Sequence, residues 1–163
     1  MKQAIAGTNP AVTKEATVMT VWPSVAKYGI ARALGQLYAI DAGVWVITFG
    51  NIVALLSAPL AAVLYLLRVA PFVGCRYTLT NRRVVVQQGI VGRVEAKSIQ
   101  LDRFDAIEIV VRAGQAWYSA GDLVFRHQGT ETFRLDGVSR PESFRQACLK
   151  SHRAYVGVQK EFA

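Results

Sequence analysis

The chain has 163 residues, of which 52% are hydrophobic and 18% charged, and it carries a net charge of +8 with a sequence pI near 9.9. That length holds one modest domain plus a membrane module and excludes two full soluble domains. The two cysteines, Cys75 and Cys148, have no CxxC spacing and exclude a disulfide framework.

Residues 1–21 are small and polar, with Gly7, Asn9 and Pro10, and read as a flexible N-terminal arm. Trp22-Pro23-Ser24 is a helix start, because proline is tolerated in a first turn. Trp22, Ala26, Ile30, Ala33, Leu37 and Ile40 then recur at steps of three and four, which places them on one face; Tyr28, Arg32 and Gln36 fall opposite. This amphipathic helix is expected to lie in a bilayer interface or to form the polar-faced start of a span, the alternative being a helix packed on the soluble domain.

From Ala42 to Leu67, 26 consecutive residues carry no Asp, Glu, Lys, Arg or His. A spanning helix needs about 20 such residues, and a buried helix of this length keeps a polar stripe. A signal peptide is not the reading, since about 40 residues precede the run. Residues 22–73 are therefore expected to be a membrane module. One tilted helix and a hairpin turning near Gly50-Asn51, with helices over Gly29–Phe49 and Val53–Val73, both remain open. Charge favours the hairpin: Lys14, Lys27 and Arg32 precede the run, Arg68, Arg76, Arg82 and Arg83 follow it, and basic flanks prefer the cytoplasm. The hairpin places Asp41 within the bilayer.

After Gly74 the pattern changes to period two, and residues 74–158 read as a separate domain followed by a tail over 159–163. Strands are expected over Arg76–Thr80, Val84–Gln88, Val94–Leu101, Ala106–Arg112, Asp122–His127 and Thr132–Leu135, with glycines near their ends. Ser139-Arg140-Pro141-Glu142 opens a final helix, on which Phe144, Cys148, Ser151 and Tyr155 share a face. Short antiparallel strands closed by one helix make an α+β layout.

Catalytic chemistry finds no support. His127 and His152 have no Cys or carboxylate at ligand spacing, and G-x-S-x-G, G-x-G-x-x-G and Walker patterns are absent. Neither a metal nor another cofactor is expected, and the chain reads as a non-enzyme. Asp102, Asp105 and Glu108, interleaved with Arg103, suit a solvated strand connection with a surface ion pair. Trp117-Tyr118 is read as a core pair, with an exposed recognition patch as the alternative. Arg76, Arg82, Arg83 and Arg93 follow the membrane exit and are the candidate lipid-surface residues, at about 1 kcal/mol each near an anionic surface. Ordinary positive-inside anchoring explains them without any specific lipid and is the favoured reading. Dispersed charge beside an apolar anchor ranks nucleic acid well below anionic lipid headgroups as a partner.

Tyr77-Thr78-Leu79-Thr80-Asn81-Arg82-Arg83 resembles the Tyr-x-Leu-Thr-x-x-Arg signature of the bacterial pleckstrin-homology-like membrane proteins, where it directly follows a transmembrane hairpin. Gly89 fits the glycine closing their second strand. Leu101-Asp102-Arg103-Phe104-Asp105-Ala106-Ile107 resembles their proline-leucine-x-arginine-isoleucine stretch, with Gln100 where proline is usual. Trp117–Leu123 resembles their glycine-then-strand segment, and Gly137-Val138 with Pro141 and Phe144 fits the approach to their final helix. The resemblance spans residues 42–157. It implies a PH-like fold of two near-orthogonal sheets, about seven strands and a C-terminal capping helix after a transmembrane helical hairpin; six strands are countable, so Val91–Leu101 is expected to split. The loop between the first two strands is three or four residues long, so inositide binding is not carried over.

The expected function is a membrane-anchored, non-enzymatic module facing the cytoplasm that binds the lipid surface or an unidentified protein partner. The alternative is an accessory subunit of a membrane enzyme or transporter.

Overall fold

Thr17–Val21 is a strand, β1, although the sequence places it in a flexible arm. The computed structural model describes residues 15–40, 43–44, 47–69, 74–89 and 94–162. After β1 come a 3-10 turn at Val25–Lys27, α1 (Gly29–Tyr38), a two-residue ladder of β2 (Gly43–Val44) with β3 (Ile47–Thr48), α2 (Phe49–Leu56) and α3 (Ala58–Val69). The sheet-forming part follows: β4 (Cys75–Thr80), β5 (Arg83–Gln88), β6 (Val94–Gln100), β7 (Ala106–Val110), a 3-10 turn at Ala116–Tyr118, β8 (Ala120–His127), β9 (Thr130–Ser139) and α4 (Pro141–Phe162).

Two antiparallel sheets result, ordered β1-β4-β5-β6 and β7-β8-β9. β1 pairs along β4 from Thr17 opposite Thr80 to Val21 opposite Tyr77, so the first sheet gains its outer strand from more than fifty residues upstream. The seventh long strand therefore comes from the N-terminal segment; Val94–Gln100 is one continuous strand, and residues 91–93 of the expected split lie outside the described residues.

Period-two alternation puts Tyr77, Leu79, Val84 and Ile99 on the inner face of the first sheet, opposite Ile107, Leu123, Phe125 and Leu135 of the second. Met19 and Val21 of β1 pack against the same core. Phe144 and Cys148 of α4 complete it, and Phe104 meets Phe125 edge to face at 5.0 Å. Pro141 opens α4 with Glu142 in its first turn, as the sequence indicates, and the helix runs on to Phe162 through the segment expected to be a tail.

The apolar stretch departs most from expectation. α1 ends at Tyr38, so no helix runs from Gly29 to Phe49, and α2 passes without a turn through Gly50-Asn51. The break falls at Ser57. Pro59, second residue of α3, has no N–H to donate, and its ring disfavours helical geometry in the residue before it. Among the described residues no single helix is long and apolar enough to cross a membrane; α2 with Ala58–Leu66 passes that test together but is bent by 58°. The transmembrane hairpin implied by the resemblance is thus replaced by a bent helix pair, and Asp41 lies outside the described residues.

Candidate functional site

On α1, α2 and α3 most of the large apolar side chains face outward. α1 buries Ala31, Leu34 and Gly35, with Leu64 of α3 packed on the first two, while Ile30 is 61% exposed and Leu37 and Ile40 are also open. The stripe that periodicity marks as the apolar face is therefore the unburied one. Gly35 is on the buried side because backbones meet there: a Cβ on it would overlap the Gly114 carbonyl oxygen. α2 and α3 continue the surface, with Leu55 77% and Leu56 75% exposed and Leu60, Val63 and Leu66 open as well. Exposed apolar residues grouped in this way make the surface a candidate interaction site.

Polar groups gather at one point along it. The Tyr38 hydroxyl and Ser57 Oγ lie 2.5 Å apart, and Ser57 Oγ also donates to the Ala54 carbonyl at 3.3 Å. Ser57 thus satisfies backbone and side-chain groups at the bend, where the α2–α3 helical ladder is interrupted.

The helices are fixed to the sheets at two places. The Ser24 amide donates to the Gly137 carbonyl at 2.7 Å, and Pro23 forms a bridge with Val138. Gly137, at φ +60°, has no room for a Cβ, which would stand 2.7 Å from the Lys27 nitrogen. Nearby, Lys27 Nζ donates to Cys75 Sγ at 2.9 Å. At the second place the β7–β8 loop lies on α1, and the ring of Trp117 stands 4.9 Å from that of Tyr38. Trp117 is 52% exposed, so the expectation of a core aromatic pair is corrected: Tyr38 and Tyr118 flank the indole without covering it.

A buried carboxylate holds this loop. Asp122 is fully buried; its Oδ1 accepts from Gln115 Nε2 at 2.7 Å and from the Gly137 amide at 2.9 Å. Its Oδ2 faces Arg112 Nε at 2.7 Å and Arg134 Nη1 at 3.5 Å. Gln115, also buried, accepts the Arg112 amide on Oε1 at 2.8 Å. The carboxylate therefore ties the loop to both attachment points, and two guanidiniums and two N–H donors compensate its burial.

The three candidate arginines among the described residues do not form one cluster. Arg76 on β4 donates through Nε to Gln87 Oε1 at 2.6 Å. Arg83 is ion-paired at 2.8 Å with both Glu15 and Glu95; the hydrogen bond it donates to Glu15 raises the guanidinium pKa and lowers that of the Glu15 carboxyl. Arg82 and Arg83 line a groove of about 320 Å³ with Glu15, Gln100 and Tyr155. Glu15 gives this groove a negative wall, which opposes a bound phosphate. Arg93 lies outside the described residues.

The other polar features are structural. Glu108 pairs with Arg126 at 2.9 Å rather than with Arg103, and Asp105 Oδ2 accepts the Gln128 amide at 2.8 Å. His152 Nδ1 lies 2.5 Å from the Leu101 carbonyl and its ring packs on Phe104. Among the described residues no three His, Cys, Asp or Glu side chains are grouped to hold a metal ion.

Sequence reasoning missed β1 and the Asp122 network. For the second the signal was present: an acidic residue between Gly121 and Leu123 in an apolar strand.

Residues 25–152 match the family model described as "Bacterial PH domain". No curated protein and no solved structure matches the chain.

Proposed function

Because this chain belongs to the bacterial PH domain family, we propose that it is a non-enzymatic binding module whose bent α2–α3 pair embeds it in a lipid bilayer. The observation carrying the proposal is the outward apolar surface of α2 and α3, at Leu55, Leu56, Leu60, Val63 and Leu66, drawn from a 26-residue stretch without a charge. In water this surface is unfavourable at about 25 cal/mol per Å², a cost that lipid removes. α2 and the Ala58–Leu66 part of α3, set 58° apart, reach roughly 22 Å end to end against a hydrocarbon core of ~30 Å. A reach short of the core, with basic residues on both flanks, favours a pair that enters and leaves on one side. The basic residues on both flanks of the stretch favour that side being cytoplasmic.

The PH-like sheets then stand at headgroup height. Arg76, Arg82, Arg83 and Arg93 add a modest, unspecific attraction to anionic lipid, reduced at Arg83 by its two carboxylates. A protein partner for the sheets is the companion role, whether as a scaffold or as a subunit of a membrane complex. Membranes isolated from cells expressing the full chain and washed with high salt and alkaline carbonate test the attachment. The chain is expected to stay in the pellet; complete release into the wash would exclude an embedded helix pair.

A further inference from the structure

The bent pair explains one apolar surface, yet the sheet domain offers a second. We propose that the β7–β8 loop is itself a membrane-contact site, with Trp117 seated at the headgroup–acyl boundary beside the bent helices. This inference rests on the membrane attachment proposed above and adds a second, independent point of contact.

Four observations support it. Trp117 is half exposed yet held between Tyr38 at 4.9 Å and Tyr118 at 5.1 Å. Fixing an exposed indole gives up conformational freedom without the usual gain from burial. The loop beneath it is anchored through Gln115 and the buried Asp122, so the indole is presented by a rigid base. Tyr38 also contacts Ser57 at the α2–α3 bend, which puts Trp117 beside the polar point of the apolar surface. Finally, between Ile109 and Gly121 the only charged residue is Arg112, whose guanidinium is turned to Asp122 and Asp136, while Val110 and Val111 are exposed.

A half-exposed indole flanked by tyrosines and valines suits the water–lipid boundary, where tryptophan and tyrosine place an apolar body in lipid and a polar edge in water. A bilayer is the occupant that the neighbouring helices select, because the patch is continuous with them through Tyr38. Two contacts, the helix pair and the loop, fix the tilt of the sheets on the membrane as a single tether does not.

The test uses the full chain carrying Trp22→Phe and Trp45→Phe, so that Trp117 is the only indole. It is reconstituted into phosphatidylcholine–phosphatidylglycerol vesicles whose acyl chains are brominated either near the headgroup or near the methyl end. The expected result is flotation with the vesicles and loss of more than half of the Trp117 emission with shallow bromines, with a smaller loss from deep ones. Flotation with no quenching by either lipid overturns the loop contact and leaves the helix attachment standing. A folded chain that does not float overturns both. If the double variant does not fold, an environment-sensitive fluorophore on Val111→Cys in the otherwise native chain reads the same depth. A blue shift on vesicle binding supports the contact, and an unchanged, water-like emission overturns it.

Discussion

The α-carbon of Gly114 rests against the carbonyl of Arg32 so closely that no Cβ fits between them. Gly114 is also at φ +82°, a region costing an L-residue about 1–2 kcal/mol. Gly114→Ala is therefore expected to lift the β7–β8 loop from α1 and separate Trp117 from Tyr38. A lower melting temperature together with a red shift of indole emission in a Trp22→Phe/Trp45→Phe background would register both effects. An unchanged melt and spectrum would show that the loop does not depend on this contact.

Asp122→Ala removes the carboxylate that Gln115, the Gly137 amide, Arg112 and Arg134 all face. Breaking a buried pair costs about 3–5 kcal/mol, and the half-open arginines favour the lower end. Denaturant unfolding in mild detergent should show a loss near 3 kcal/mol. A loss below about 1 kcal/mol would mean that water replaces the carboxylate.

Cys148 is buried on the inner face of α4, and desolvation pushes its thiol up to about 12, above an ordinary value of 9.0. The folded state holds the proton more tightly than the unfolded one. This contribution is complete below pH 9 and is lost as pH rises from 9 toward 12. Each unit of that window is worth about 1.4 kcal/mol. Stability should fall by about 1 kcal/mol between pH 9 and 10, and Cys148→Ala should flatten that slope whatever its effect at neutral pH. Equal slopes in the two proteins would remove the thiol from the explanation. Tyr77, raised mainly by burial, adds its own loss at higher pH.

The fragment 75–163 lacks β1 and so loses Met19 and Val21 from the core and exposes the edge of β4. Two such side chains are worth about 3 kcal/mol together, and a bare edge strand invites aggregation. The fragment should therefore melt well below the full chain, and a peptide covering residues 15–28 should raise its melting temperature in trans. A fragment as stable as the whole would mean that β1 is only an appendage.

Alternation and the glycines near their ends made the six strands after Gly74 readable, although β8 is buried on both faces and β6 at Ile99 alone, and Pro141 with Glu142 announced α4. Thr17–Val21 was not readable as a strand, since its pairing partner lies some sixty residues away and a five-residue segment carries little periodicity of its own. The helical face of α1 was legible but its direction was not: periodicity marks an apolar stripe without saying whether core or another medium covers it. Arg82 and Arg83 could be seen to follow the apolar stretch, but the pairing of Arg83 with Glu15 depends on β1 bringing residue 15 alongside.

The claim that the outward face of α2 and α3 lies in lipid is tested most directly by nitroxide labels at Leu56 and Val63, with Glu142 as a control. These positions are exposed in the protein alone, and labels there need not disturb the core. In vesicles, power saturation should show Leu56 and Val63 accessible to oxygen and shielded from a water-soluble nickel chelate, with the reverse at Glu142. Leu56 and Val63 labels as open to nickel as the one at Glu142 would place the helices in water and contradict the account.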